Sequence, residues 1–263
     1  MYEIIGYSCA VLIGITLGLI GGGGSILTVP VLVYIMGIEP ILATAYSLFV
    51  VGIAALAGTF KNLRSGNIDL KTGFVFALPS FIAVYYTRRI IVPAIPQEIM
   101  TIGSFTLSKE TGIMLFFAFI MLLASISMIR GRKNNAELNP KSFNYPIIIV
   151  EGLFIGALTG LVGAGGGFLI IPALVLLAGL PMKKAVGTSL MIIAIKSLIG
   201  FTGDLSTSLN IDWVFLSSFS ALSIIGMGIG LYLSKSIEGL KLKKAFGYFV
   251  LLMALFVLTK ELI

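Results

Sequence analysis

The stretch GLIGGGGSILTVP, residues 18–30, sets four consecutive glycines, Gly21 to Gly24, inside what otherwise reads as continuous hydrophobic helix. Glycine in a helix interior costs about 1 kcal/mol relative to alanine, so four in a row predict a break. What the break achieves depends on the solvent around it. The chain has 263 residues, 58% of them hydrophobic and 11% charged, and its mean hydropathy is +1.09. Soluble domains carry about 25% charged residues. Too few polar side chains exist to cover a water-facing globule of this size, whereas a bilayer accepts apolar side chains on the outside. The composition is that of an all-α polytopic membrane protein, because helices satisfy their own backbone groups in lipid.

The net charge of +7 lies in short basic runs between apolar segments, which assigns it to topology and away from nucleic acid. Cys9 is the only cysteine and histidine is absent. These counts exclude an internal disulfide and any histidine-based catalytic or metal site, and no cofactor is expected. The first apolar segment has no basic leader and no clear small-residue cleavage site, so Ile4 to Ile20 reads as a retained membrane segment.

The chain also repeats itself. GITLGLIGGGGSILTVPVLVYIMG (14–37) returns as GALTGLVGAGGGFLIIPALVLLAG (156–179), with Pro30 on Pro172 and Gly37 on Gly179. The match continues from ATAYSL (43–48) to AVGTSL (185–190), and GNID (66–69) meets LNID (209–212) after a one-residue gap. About a third of positions are identical over about fifty residues, which marks two halves of one ancestral unit. The expected organisation is a membrane repeat over 1–130, a cytoplasmic linker over 131–144 and a second repeat over 145–263. Apolar segments fall at 4–20, 26–37, 41–60, 70–92 and 112–129, then at 146–162, 168–179, 185–203, 213–234 and 245–262.

The second segment of each half is short for a full crossing, which takes about 20 helical residues. Either it crosses as part of a broken helix, giving five crossings per half and inverted halves, or it turns back, giving four and parallel halves. With five crossings and the basic linker in the cytoplasm, that side receives Lys61, Arg64, Lys71, Arg130, Arg132, Lys133, Lys141, Lys183, Lys184, Lys235, Lys241, Lys243 and Lys244, and the outside receives Arg88, Arg89, Lys109 and Lys260. Equivalent loops also differ in charge. Lys61 and Arg64 have no basic counterpart in 203–211, and Lys183-Lys184 correspond to Ile41-Leu42. The charges therefore favour two inverted repeats of five segments with both termini outside, Arg88 and Arg89 fitting least well.

Paired Gly/Pro-interrupted segments at matching positions are the best sequence pointer to a transporter's substrate site. A helix restarting at mid-membrane presents unpaired N–H groups and partial positive charge, which suits an anion. The candidate ligands are Gly22, Gly23, Gly24 and Ser25 in the first half and Gly165, Gly166 and Gly167 in the second. Packing is the competing use of such glycines, and it fits the GxxxG pairs Gly14/Gly18 and Gly156/Gly160 better than the consecutive runs. Lys196 lies in MIIAIKSLIG, where a charge costs at least about 2.5 kcal/mol, and its repeat counterpart is Ala54. It reads as an anion ligand or a gate, against a snorkelling or carbonyl-paired lysine. Tyr46 and Ser47, matched by Thr188 and Ser189, place hydroxyls at equivalent points of the halves; bonds to their own helix carbonyls compete with a ligand role. Asp204 and Glu151 are the candidates for a coupling proton, with a solvated interfacial carboxylate as the simpler reading of both. Asp69 and Asp212 read as helix N-caps.

The two motifs, GLIGGGGSILTVPVL with ATAYSL and GLVGAGGGFLIIPALV with AVGTSL, resemble the TauE/SafE family of sulfite exporters, also called the 4-toluenesulfonate uptake permease family, over essentially the whole chain. The resemblance implies an integral transporter of the prokaryotic cytoplasmic (inner) membrane that moves sulfur-containing anions such as sulfite, organosulfonates, sulfoacetate or thiosulfate. Its expected partners are a small anionic substrate and membrane lipid, with a homodimer as one assembly open to it. An anion channel built from the same glycines and cations is the alternative. An intramembrane enzyme is less compatible, because GGGGS is no GxSxG elbow and no second intramembrane aspartate pairs with Asp204. No GK[ST] follows either glycine run, so the chain shows no ATP site. The connection 92–110 reads as a lid or a simple link.

Overall fold

Each apolar segment becomes a helix, and the glycine runs become the places where helices stop and restart. The computed structural model describes residues 2–102, 105–130, 145–163, 165–176, 178–205, 210–234 and 239–262. The linker expected over 131–144 lies outside the described residues. The first half contains α1 (Tyr2–Ile20), a helical segment α2, α3 (Pro40–Arg64), α4 and α5 (Lys109–Arg130). The segment α2 runs as a 3-10 turn over Gly23–Leu27, an α turn over Thr28–Pro30 and a π turn over Val31–Ile35. The helix α4 runs over Leu70–Tyr86, widens into a π turn over Thr87–Ile91 and ends with Val92–Ala94. The second half contains α6 (Tyr145–Val162), α7 (Gly167–Leu176), α8 (Met182–Leu205), α9 (Trp213–Leu233) and α10 (Gly239–Leu262).

Several boundaries differ from expectation, and two of the differences change the connections. The loop expected at 61–69 begins later, because α3 continues to Arg64 and carries Lys61 and Arg64 in its last turn, where cations suit the helix dipole. The connection 92–110 contains an antiparallel hairpin, β1 (Glu98–Ile102) and β2 (Phe105–Ser108), pairing Met100 with Leu107 and Ile102 with Phe105. It is the only sheet among the described residues.

Among the described residues α3, α4, α5, α8 and α9 are long and apolar enough to cross a bilayer. Apolar side chains fill both the interior, with Leu17, Leu32, Phe117 and Ile192 buried, and the outer surface, with Ile4, Phe74, Phe154, Val214 and Leu252 exposed. This is the distribution a lipid environment allows.

Small residues set the helix packing. A Cβ at Gly14 would lie 2.9 Å from the Gly226 Cα, and one at Gly18 would lie 2.9 Å from the Gly230 carbonyl carbon, so α1 and α9 run parallel in close contact. Gly152, Gly156 and Gly160 of α6 meet Pro79, Ala83 and Thr87 of α4 in the same sense. The GxxxG pairs thus serve packing. Helices α3 and α8 cross antiparallel, Gly52 meeting Leu198 and Gly58 meeting Leu190. Helix α8 runs parallel to α4, with Gly73 beside Thr188 and Gly203 beside Arg88. The principal helix contacts exchange in pairs when α1–α5 are swapped with α6–α10: α1 on α9 with α6 on α4, and α3 on α9 with α8 on α4, while α3 on α8 and α5 on α10 map onto themselves.

Candidate functional site

The two glycine runs meet. Gly21 and Gly22 have φ of 67° and 109°, and Gly163, Gly165 and Gly166 have φ of 72°, 62° and 65°. Left-handed backbone of this kind is open chiefly to glycine, and it turns the chain from α1 into α2 and from α6 into α7. A Cβ at Gly22 would lie 2.8 Å from the Gly167 Cα, so the starts of α2 and α7 touch backbone to backbone. A Cβ at Gly165 would lie 3.2 Å from that of Ser25, which is fully buried and donates its hydroxyl to the Gly22 carbonyl at 2.7 Å.

Lys196 is the cation at this junction. It is the fifteenth of the 24 residues of α8, fully buried, and its Nζ donates to Thr159 Oγ1 at 3.1 Å. A methyl group placed on Gly166 would lie 2.9 Å from the same Nζ. An ammonium has three donors, and Lys196 makes no ion pair among the described residues. A lysine buried without a counter-charge is costly, which makes Lys196 a candidate ligand for an anion.

The hydroxyls divide into two groups. Ser47 is buried and its Oγ has no partner among the described residues; so is Ser197 beside Lys196. Orphaned buried hydroxyls of this kind call for a ligand or water. Ser47 lies one helical turn before Val51, whose side chain meets Gly165. Ser189 Oγ donates to the Gly21 carbonyl at 2.7 Å, tying α8 to the first break. Tyr46 and Thr188 are used elsewhere: the Asp212 N–H donates to the Tyr46 hydroxyl at 2.7 Å and the Asp69 N–H to Thr188 Oγ1 at 2.9 Å. These bonds are repeat-equivalent, each joining one half to the first turn of a helix in the other. Asp69 and Asp212 cap those helices, Asp69 accepting from Thr72 N and Asp212 from Val214 N and Phe215 N.

The acids part company. Asp204 is not a solvated interfacial carboxylate: it is 2% exposed and accepts from Arg88 Nε at 2.8 Å on both oxygens. Arg88, which fitted an exposed outer loop poorly, is 1% exposed and lies inside the bundle. Its Nη1 donates to Thr44 Oγ1 at 2.9 Å and to the Gly160 carbonyl at 3.3 Å. Glu151 stays apart, half-buried on α6 in an apolar surface groove with Pro146, Ile147, Val150 and Phe154.

Sequence reasoning thus located the breaks and Lys196 but missed Thr44, Arg88, Thr159 and Ser197. Only Arg88 left a signal, its conflict with the charge pattern.

The chain matches the model of the sulfite exporter TauE/SafE family over residues 7–257. It is 28% identical to a probable membrane transporter protein of Xylella fastidiosa over 95% of this chain and 92% of that one. It is 26% identical to the probable membrane transporter protein YdhB of Bacillus subtilis over 89% and 91%, and 31% identical to a probable membrane transporter protein of Methanocaldococcus jannaschii over 75% and 70%. No solved structure gives a significant match. With broken helices meeting at a buried lysine and a family match over nearly its whole length, the chain belongs to the TauE/SafE sulfite exporter family and is a multi-pass membrane transporter.

Proposed function

We propose that the protein is a secondary transporter of small sulfur-containing anions, of the class of sulfite, thiosulfate, sulfoacetate or an organosulfonate, and that it works by alternating access in a prokaryotic cytoplasmic membrane. The observation that carries this reading is Lys196, buried with no carboxylate partner among the described residues, against the left-handed Gly166 where the two broken helices meet. An anion there would receive the ammonium, backbone N–H groups from the starts of α2 and α7, and the Ser47 hydroxyl. Gly22 and Gly167 leave no room between them in this conformation. Binding therefore requires the two halves to move apart at the breaks, as alternating access does. The antiparallel crossing of α3 and α8 supports inverted halves, since a repeat related by an axis along the membrane normal would make this self-equivalent pair parallel.

The test is uptake of labelled sulfite, thiosulfate and sulfoacetate into proteoliposomes by the native protein and by Lys196→Ala. The reading expects saturable uptake of at least one anion and a fall of about a hundredfold or more in the variant, the scale of a charged hydrogen bond lost in a dry site. Equal uptake by both proteins would remove Lys196 from the mechanism. Absence of uptake of all three by the native protein would overturn the substrate class.

A further inference from the structure

We propose that Arg88 is a second anion ligand on the transport path, closed off by Asp204 until an incoming oxyanion displaces the carboxylate. The inference rests on the anion-transport reading above. A guanidinium offers five donors in a planar fork, and a carboxylate held for structure alone is best held by two nitrogens at once. Here, of the guanidinium nitrogens, only Nε donates to Asp204, reaching both oxygens. Nη1 donates to Thr44 and Gly160, and Nη2 is buried with no partner among the described residues. An oxyanion that takes the Nε–Nη2 side in place of Asp204 gains a donor the carboxylate leaves unused.

Position joins this group to the lysine. Lys196 touches Thr159 and Arg88 touches Gly160, adjacent residues in the last turn of α6 before its glycine break. Along α8, Asp204 follows Lys196 by eight residues, about 12 Å of helix rise and about 80° around the axis. Thr44, which accepts from Arg88, also packs against the left-handed Gly163. Arg88 itself sits in the π turn of α4, a helix irregularity that often marks a functional position. The other half has no such group: Asn62 stands where Asp204 would be and Val186 where Thr44 would be. One end of the path therefore carries a buried ion pair that the repeat does not reproduce at the other.

Exchanging one carboxylate for one oxyanion keeps the guanidinium paired throughout. The empty carrier is closed at this end by Asp204, and an anion opens it by taking its place.

The test is the concentration dependence of uptake of labelled sulfite, thiosulfate and sulfoacetate by the native protein, Asp204→Asn and the double variant Arg88→Gln/Asp204→Asn, each checked by its melting temperature in detergent. Removing the competing carboxylate is expected to lower KM about tenfold in Asp204→Asn while Vmax falls, and removing the guanidinium as well is expected to raise KM about tenfold above native. A merely structural pair would shift melting temperature and leave KM within twofold of native in whichever variant folds, and that result overturns the proposal while leaving the transport reading intact. No uptake of any of the three anions by the native protein overturns both.

Discussion

Gly166 illustrates how much of this site hangs on single atoms. A methyl there would overlap the Thr159 side chain, approach Lys196 Nζ and occupy a φ of +65° that L-residues avoid. Gly166→Ala is expected to cost about 2–5 kcal/mol from the two effects together, read as a lower melting temperature with loss of transport. Gly228 provides the contrast, since nothing lies within 4 Å of a Cβ there and it sits inside α9. Gly228→Ala is expected to stabilise by about 1 kcal/mol and to leave transport unchanged. Glycines of both kinds look alike in the sequence. The repeat identified the runs worth asking about, and only the backbone separated glycines that turn the chain from those that pack or do neither. The pairing of Arg88 was illegible for a different reason: its partner Asp204 lies 116 residues away.

At the scale of elements, the helix starts carry the ties between the two halves. Asp69 and Asp212 were legible as caps because each precedes an apolar run at the same point of the repeat. Their second role was not legible, since the acceptors, Thr188 and Tyr46, come from the opposite half. Asp212→Ala is expected to lower stability by about 0.5–2 kcal/mol through the cap. Tyr46→Phe leaves the Asp212 N–H without its acceptor and is expected to cost about 1 kcal/mol, with KM for the transported anion unchanged. Thermal melts and uptake kinetics on the same preparations check both; a KM shift in Tyr46→Phe would return that hydroxyl to the substrate site. The β1–β2 hairpin escaped sequence reading because alternation over five residues is lost in a chain that is apolar nearly throughout.

For the whole molecule, the helix directions and the charges support one arrangement. The end of α3 lies beside the start of α8, where Gly187 meets Asn62 and Asn67, so Lys61 and Lys184 share a membrane face. In a Cys9→Ala background, single cysteines at Lys61 and Lys184 are expected to react with an impermeant thiol reagent from the same side, the cytoplasmic one. Reaction of the two from opposite sides would remove the inverted arrangement. If the halves are inverted around one buried lysine, the site opens to one side at a time, and the exchange of anions is stimulated by anion on the far side. The most direct measurement is counterflow: vesicles preloaded with unlabelled sulfite, thiosulfate or sulfoacetate and diluted into the same labelled anion. A carrier gives a transient, saturable accumulation of label that disappears in Lys196→Ala, whereas label that merely equilibrates, with single-channel conductance in planar bilayers, would contradict alternating access.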